Sequence, residues 1–158
     1  MTWVINASPL IVLGKINQLP LLDVLSDKVI VPQSVMNEIM MGMQQDSSVP
    51  AIMNWASRRT MPDIDIPSSI LGWDLGQGET QVLSYAYSKQ LGAILDDGAA
   101  RAAAKSYRIP IVGSLGIILR ARQNNHIPAA RSLIEQLLAQ GSYLSDELIE
   151  QALHKVGE

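Results

Sequence analysis

The sequence predicts a three-layer α/β/α fold with a mainly parallel central sheet. Short apolar, β-branched segments alternate with helical segments along the chain, and the connections leave no room for antiparallel meanders. The composition supplies the core: 47% of the 158 residues are hydrophobic and only 17% are charged, far from the balance of a disordered chain. One domain spanning residues 1–158 is the expectation.

Thr2 to Asn6 is apolar and β-branched and runs into Ser8-Pro9, where Ser suits a helix cap and Pro a first turn, so a strand followed by a helix over Leu10 to Ile16 is expected. A second short helix begins near Pro20. Lys28 to Val31 forms the next strand, closed by Pro32. From Gln33 to Met43, Val35, Met36, Ile39, Met40 and Met43 recur at helical spacing and place Glu38 beside the buried stripe. Met36, Met40, Met41 and Met43 read either as core filling or as an adaptable partner groove.

Residues 44 to 75 are the least regular, with a helix expected through Trp55 and a loop-rich crossover punctuated by Pro62, Pro67 and Gly72. Glu79 to Gln90 is a helix with Val82, Leu83, Ala86 and Tyr87 on one face, followed by the strand Ala93 to Leu95. Gly98 to Tyr107 is alanine-rich and helical, Ile109 to Val112 is a fourth strand, and Ser114 opens a helix through Arg120. The tail, about 128–156, reads as a helical hairpin joined at Gly141, with Ser145 and Asp146 opening its second helix.

Absence of cysteine excludes disulfides, thiolate metal sites and a cysteine nucleophile. The N-terminal segment lacks the marks of a signal peptide and no apolar run is long enough to span a bilayer, so a cytoplasmic protein without membrane contact is expected. A net charge of -3 and a pI near 5.3 provide no global attraction for nucleic acid, so a polyanion would need a local basic patch.

In an open parallel sheet, ligands collect beyond the carboxyl ends of the strands, which here deliver Asn6 and the pair Asp96-Asp97. One of the two aspartates is expected to cap the helix at Gly98, leaving the other to face the cleft; the sequence does not say which. Glu79 follows Gly76-Gln77-Gly78 at a helix start, where a carboxylate is favoured electrostatically with or without a metal. Glu38, mid-helix, has no cap of its own to make. His126 and His154 lack ligand spacing.

The blocks VINASPLIVLGKI, VPQSVMNEI, LGQGETQVLSYA, GAILDDGAARAAA and IVGSLGIILRAR, in that order, resemble PIN domains, and most closely the branch related to VapC-type toxins. The resemblance covers almost the whole chain. It implies Mg2+ or Mn2+ bound at Glu38, Glu79 and Asp97, with Asn6 and neighbouring Asp96 as further ligand positions, and metal-dependent cleavage of RNA. Ser8 resembles a small hydroxyl residue near the metal, and Arg101 a residue that holds the acidic cluster; Arg101 also reads as an ordinary surface partner of Asp97. The wider family carries aspartate where Asn6 stands, which removes a charge and a general base. An RNA substrate, a small antitoxin and a homodimer are what the resemblance implies for partners. Arg58, Arg59, Arg101, Lys105, Arg108, Arg120 and Arg122 are expected in or beside the flanking elements, either as a phosphate track or as solvated helix faces.

Two other classes compete with a ribonuclease. One is a PIN-fold binding module with weak or no catalysis because of Asn6. The other is a nucleotide-binding α/β domain, for which the chain lacks both a phosphate loop with its lysine and a dinucleotide fingerprint.

Overall fold

The computed structural model describes residues 1–158. Its sheet has five strands, all parallel, in the order β3-β2-β1-β4-β5: β1 Thr2–Ile5, β2 Lys28–Pro32, β3 Thr60–Met61, β4 Gly92–Ile94 and β5 Ile111–Val112. Successive residues of a strand point to opposite faces, and Val4 and Ile5 are both fully buried, as are Ala93 and Ile94. Helices therefore cover both faces, as a parallel sheet requires.

The crossovers are α1 Ala7–Lys15, α2 Pro20–Leu25, α3 Gln33–Gly42, α4 Val49–Ser57, α5 Ser68–Leu71, α6 Gln77–Lys89 and α7 Gly98–Ser106, and α8 Ser114–Gln123 follows the last strand. Two more helices, α9 Arg131–Ala139 and α10 Asp146–Lys155, complete the chain. No helix is long and apolar enough to cross a membrane. One continuous apolar cluster joins the sheet to Leu10, Leu13, Ile39, Ile52, Leu83 and Ile118, all without solvent exposure.

Several expectations are corrected. The sheet gains β3, a two-residue edge strand that sequence periodicity does not mark. Helix α1 begins at Ala7, because the Asn6 carbonyl already accepts from the Leu10 N–H at 3.3 Å; Ser8 and Pro9 lie inside the first turn, and Ser8 is exposed and caps nothing. Tyr87 is 48% exposed, and Tyr85 takes the buried place beside Val82, Leu83 and Ala86. The methionines divide: Met36 is buried and Met43 packs on the core, whereas Met40 and Met41 face solvent. As the sequence suggests, Gly141 turns the chain between α9 and α10 with φ +90°, and the Ser145 hydroxyl caps α10 by accepting from the Leu148 N–H at 3.1 Å.

Candidate metal centre

The parallel register levels the strand ends. Ile5 pairs with Ile94, and Ile94 with Val112, so Asn6, Asp96-Asp97 and Ser114 emerge together at the carboxyl edge. The Asn6 N–H donates to the Ile94 carbonyl at 3.1 Å and fixes its backbone there. Its side chain is buried, at 3% exposure, and its Oδ1 has no hydrogen-bond partner. A buried carbonyl oxygen left so costs on the order of 1–3 kcal/mol, so an unpaired one at a strand end invites a cation or a donor.

Glu38 reaches the same place from the exposed side of α3, and its Oε1 accepts from the Gly78 N–H at 2.9 Å. It thus caps α6 from another helix, a role invisible in its own segment. Gly78 makes this possible: a Cβ there would stand 2.5 Å from Glu38 Oε1 and 2.9 Å from its Cδ. The Gly78-Glu79 pair therefore opens α6 with a backbone donor for one carboxylate and supplies a second. Glu79 has its pKa raised, first by burial, then by the charges of Asp97 and Glu38. The three acids are thus close enough to act on one another, though burial is the larger cause of the shift.

The two aspartates divide in a way the sequence left open. Asp97 caps α7, its Oδ2 accepting from the Ala100 N–H at 2.9 Å, while Oδ1 has no protein donor. Asp96 accepts from the Ser114 N–H at 2.7 Å and from the Ser114 hydroxyl at 2.6 Å, tying β4 to the start of α8. Both therefore make helix-start contacts, where one had been expected to stay free. Arg101 forms no ion pair with Asp97; its Nη1 donates to the Leu95 carbonyl at 2.8 Å and anchors the backbone just before the acidic pair.

A cleft of about 410 Å³ opens beside these groups, lined by Asn6, Ser8, Lys15, Glu38 and Glu79, with Gln140, Gly141 and Ser142 as its far wall. Asp97 stands outside that wall. Lys15 and the α9–α10 turn were not singled out by the sequence, because nothing in their local pattern reports a neighbour so distant along the chain. Lys15 lies 3.3 Å from Asp46. No three carboxylate or imidazole groups stand together as a preformed ligand set. The donors nonetheless suit a hard cation: they are all oxygens, one is a buried unpaired carbonyl, and Glu38 and Asp97 are exposed enough to reorient.

The continuous phosphate track is not formed. Helix α8 runs back from the site edge, so Arg120 and Arg122 lie at its far end, with the Arg120 guanidinium 5.4 Å from the Trp3 ring centroid and Arg122 Nε 3.3 Å from Glu158. Lys105 and Arg108 likewise fall at the far end of α7, and Arg58 and Arg59 border a different cleft beside the start of β2. Of the seven basic residues, only Arg101 is at the acidic edge.

For Glu79 the raised pKa has a definite sign. The folded chain binds the proton more tightly than the unfolded chain, so this group favours folding below the ordinary carboxylate pKa and loses that contribution as pH rises through the folded value. Glu79→Gln is therefore expected to stabilise the metal-free protein at neutral pH by a few tenths of a kcal/mol, after allowance for solvent screening. Thermal denaturation should show a rise of about 1–2 °C at pH 7 that disappears near pH 4; equal shifts at both pH values would contradict the repulsion.

The family model described as a PIN domain matches residues 2–158, and the chain belongs to that family. Among solved structures it is similar to a PilT N-terminus domain protein from the hyperthermophilic archaeon Sulfolobus solfataricus P2. The identity is 14%, over 92% of this chain and 98% of the other, with a TM-score of 0.48. It is also similar to VapBC2 from Rickettsia felis, solved bound to a DNA fragment from its promoter, at 11% identity over 72% of this chain and 98% of the other, with a TM-score of 0.45. No curated protein matches the sequence.

Proposed function

We propose that this PIN-domain chain, acting as one unit, is a metal-dependent endoribonuclease and the toxin of a toxin-antitoxin pair. The observation that carries the reading is the cleft at the strand ends that brings Glu38 and Glu79 together with Asn6, whose Oδ1 is buried and unpartnered, with Asp97 on the same edge. These four groups would hold Mg2+ or Mn2+, with Asp97 preferred to Asp96, whose two oxygens are already engaged by Ser114. When bound, the ion supplies charge neutralisation at a phosphodiester and a more acidic water.

The residues divide the remaining work. Asn6 contributes an oxygen but no charge and cannot take a proton. Glu79 lines the cleft, and burial and the neighbouring charges of Asp97 and Glu38 raise its pKa, so it is the carboxylate of the set that holds a proton most readily. Lys15, in the cleft wall, is paired with Asp46 and would have to leave it to meet a phosphate. Arg101 and Asp96 act by position, fixing the end of β4. RNA as substrate, a small antitoxin and a homodimer follow from the resemblance of the sequence blocks.

Calorimetric titration with Mn2+ tests the site. Micromolar binding to the wild type, lost in a Glu38→Gln/Asp97→Asn double variant, is expected; absence of binding at millimolar metal would remove the ribonuclease reading. The uncharged Asn6 favours a second reading in that event, a binding module with weak or no catalysis. Asn6→Asp is expected to tighten Mn2+ on the order of tenfold by adding a ligand charge, and unchanged affinity would count against placing the ion beside Asn6.

A further inference from the structure

The larger cleft, about 650 Å³, lies by the start of β2, away from the acidic residues. Its lining includes Lys28, Asn54, Trp55, Arg58 and Arg59, with Asp23 and Asp27 as its acids. The volume is that of a pocket for one small ligand or one unit of a polymer.

Its charges are unevenly satisfied. Asp23 accepts from Arg59 Nη2 at 2.8 Å and from the Trp55 indole N–H at 3.0 Å, so both of its oxygens are used. Asp27 holds the Met1 ammonium. Arg59 also donates to the Trp55 carbonyl, and its guanidinium lies 4.0 Å from the centroid of the Trp55 ring. The exposed cations Lys28 and Arg58 have neither an ion-pair nor a hydrogen-bond partner. Both acids are thus occupied, and two cations are left over beside the Trp55–Arg59 cation–π pair, whose indole also packs on the core.

We infer that this cleft is a second binding site, for a segment of single-stranded RNA remote from the acidic edge. Lys28 and Arg58 meet successive phosphates, and the Arg59 guanidinium, held over Trp55 by Asp23, offers its outer face to a base. The pairing of aromatic and guanidinium planes with two free cations favours a nucleotide chain over an acidic peptide, which has no base to place on the stack. The choice of RNA rests on the ribonuclease reading above, but the site shares no residue with the acidic cluster.

Fluorescence anisotropy of a labelled ten-nucleotide oligouridine, with a chelator present, tests this without any contribution from a metal centre. Lys28→Ala/Arg58→Ala is expected to weaken binding roughly tenfold at low salt and to reduce the slope of log K against log salt by about 1.4, the share of two phosphate contacts on a single strand. A Lys105→Ala/Arg108→Ala control, which removes the same charge elsewhere on the surface, should leave binding within about twofold, and the Trp55 indole proton should shift on titration in NMR. Equal weakening by the control, no binding by the wild type, tighter binding of a glutamate peptide of matched charge, or equal binding of uridine monophosphate would each overturn the assignment. Because the measurement excludes metal, failure here leaves the acidic site intact, and failure of Mn2+ binding there leaves this result intact.

Discussion

Asp97→Asn is expected to lower Mn2+-dependent RNA cleavage by on the order of 100-fold or more while leaving the fold intact. The substitution separates two roles of one side chain. Asn serves as well as Asp at a helix N-cap, so the bond from the Ala100 N–H to the side-chain oxygen is retained, and stability should change by less than about 0.5 kcal/mol. What is lost is the negative charge, which contributes to the field on Glu79 and would face the cation. The pKa of Glu79 should fall toward its ordinary value and still remain above it, because burial is the larger cause. Asp97→Ala should lose the same activity and in addition about 1 kcal/mol of stability with the cap, or roughly 2–4 °C in melting temperature. Cleavage by Asp97→Asn at the wild-type rate would remove Asp97 from the proposed metal centre.

The largest stability effect is expected at Gly92. It pairs with Trp3 in the sheet, and a Cβ on it would stand 2.5 Å from two atoms of the Trp3 ring. The ring has little freedom to yield, since Trp3 is 5% exposed in a central strand with the Arg120 guanidinium also against it. Gly92→Ala should therefore cost about 3 kcal/mol through overpacking, lowering the melting temperature by roughly 6–12 °C. In a double-mutant cycle, Trp3→Val should recover part of the loss, because the smaller side chain vacates the contested space. A loss below about 0.5 kcal/mol would show that the sheet shifts to accommodate the methyl group.

The architecture was legible because its signals are local. β-branched runs at Trp3 to Ile5 and Val29 to Val31, and the helical spacing of Val35, Met36 and Ile39, each report their own element. β3 escaped because two residues carry no periodicity; Thr60–Met61 is a strand only through its pairing with Val31 and Pro32. The candidate site was legible in its residue types and less so in its contacts. Asp96-Asp97 after an apolar strand points to a carboxyl edge, but which carboxylate ties down Ser114 depends on β5, and Glu38 gains its contact at Gly78 only when α3 and α6 meet. The same limit hid Lys15 and the wall formed by Gln140 to Ser142, and it left open whether the basic residues form a phosphate track or separate helix faces.

The placement of β1 at the middle of the sheet also governs the order in which the protein can assemble. This strand is the first to be synthesised, and β2 can join it early, but its other edge stays open until β4 has been made. At typical elongation rates, the wait from Trp3 to Gly92 is on the order of 5–18 s, far longer than a helix or a loop needs to form. During that interval an apolar strand presents an unpaired edge to the ribosome exit and its surroundings, an opportunity for mispairing or for a chaperone. Folding of the complete chain should accordingly be limited by closure of β1 on β4, a contact between residues far apart in sequence, and be slow for a chain of this length.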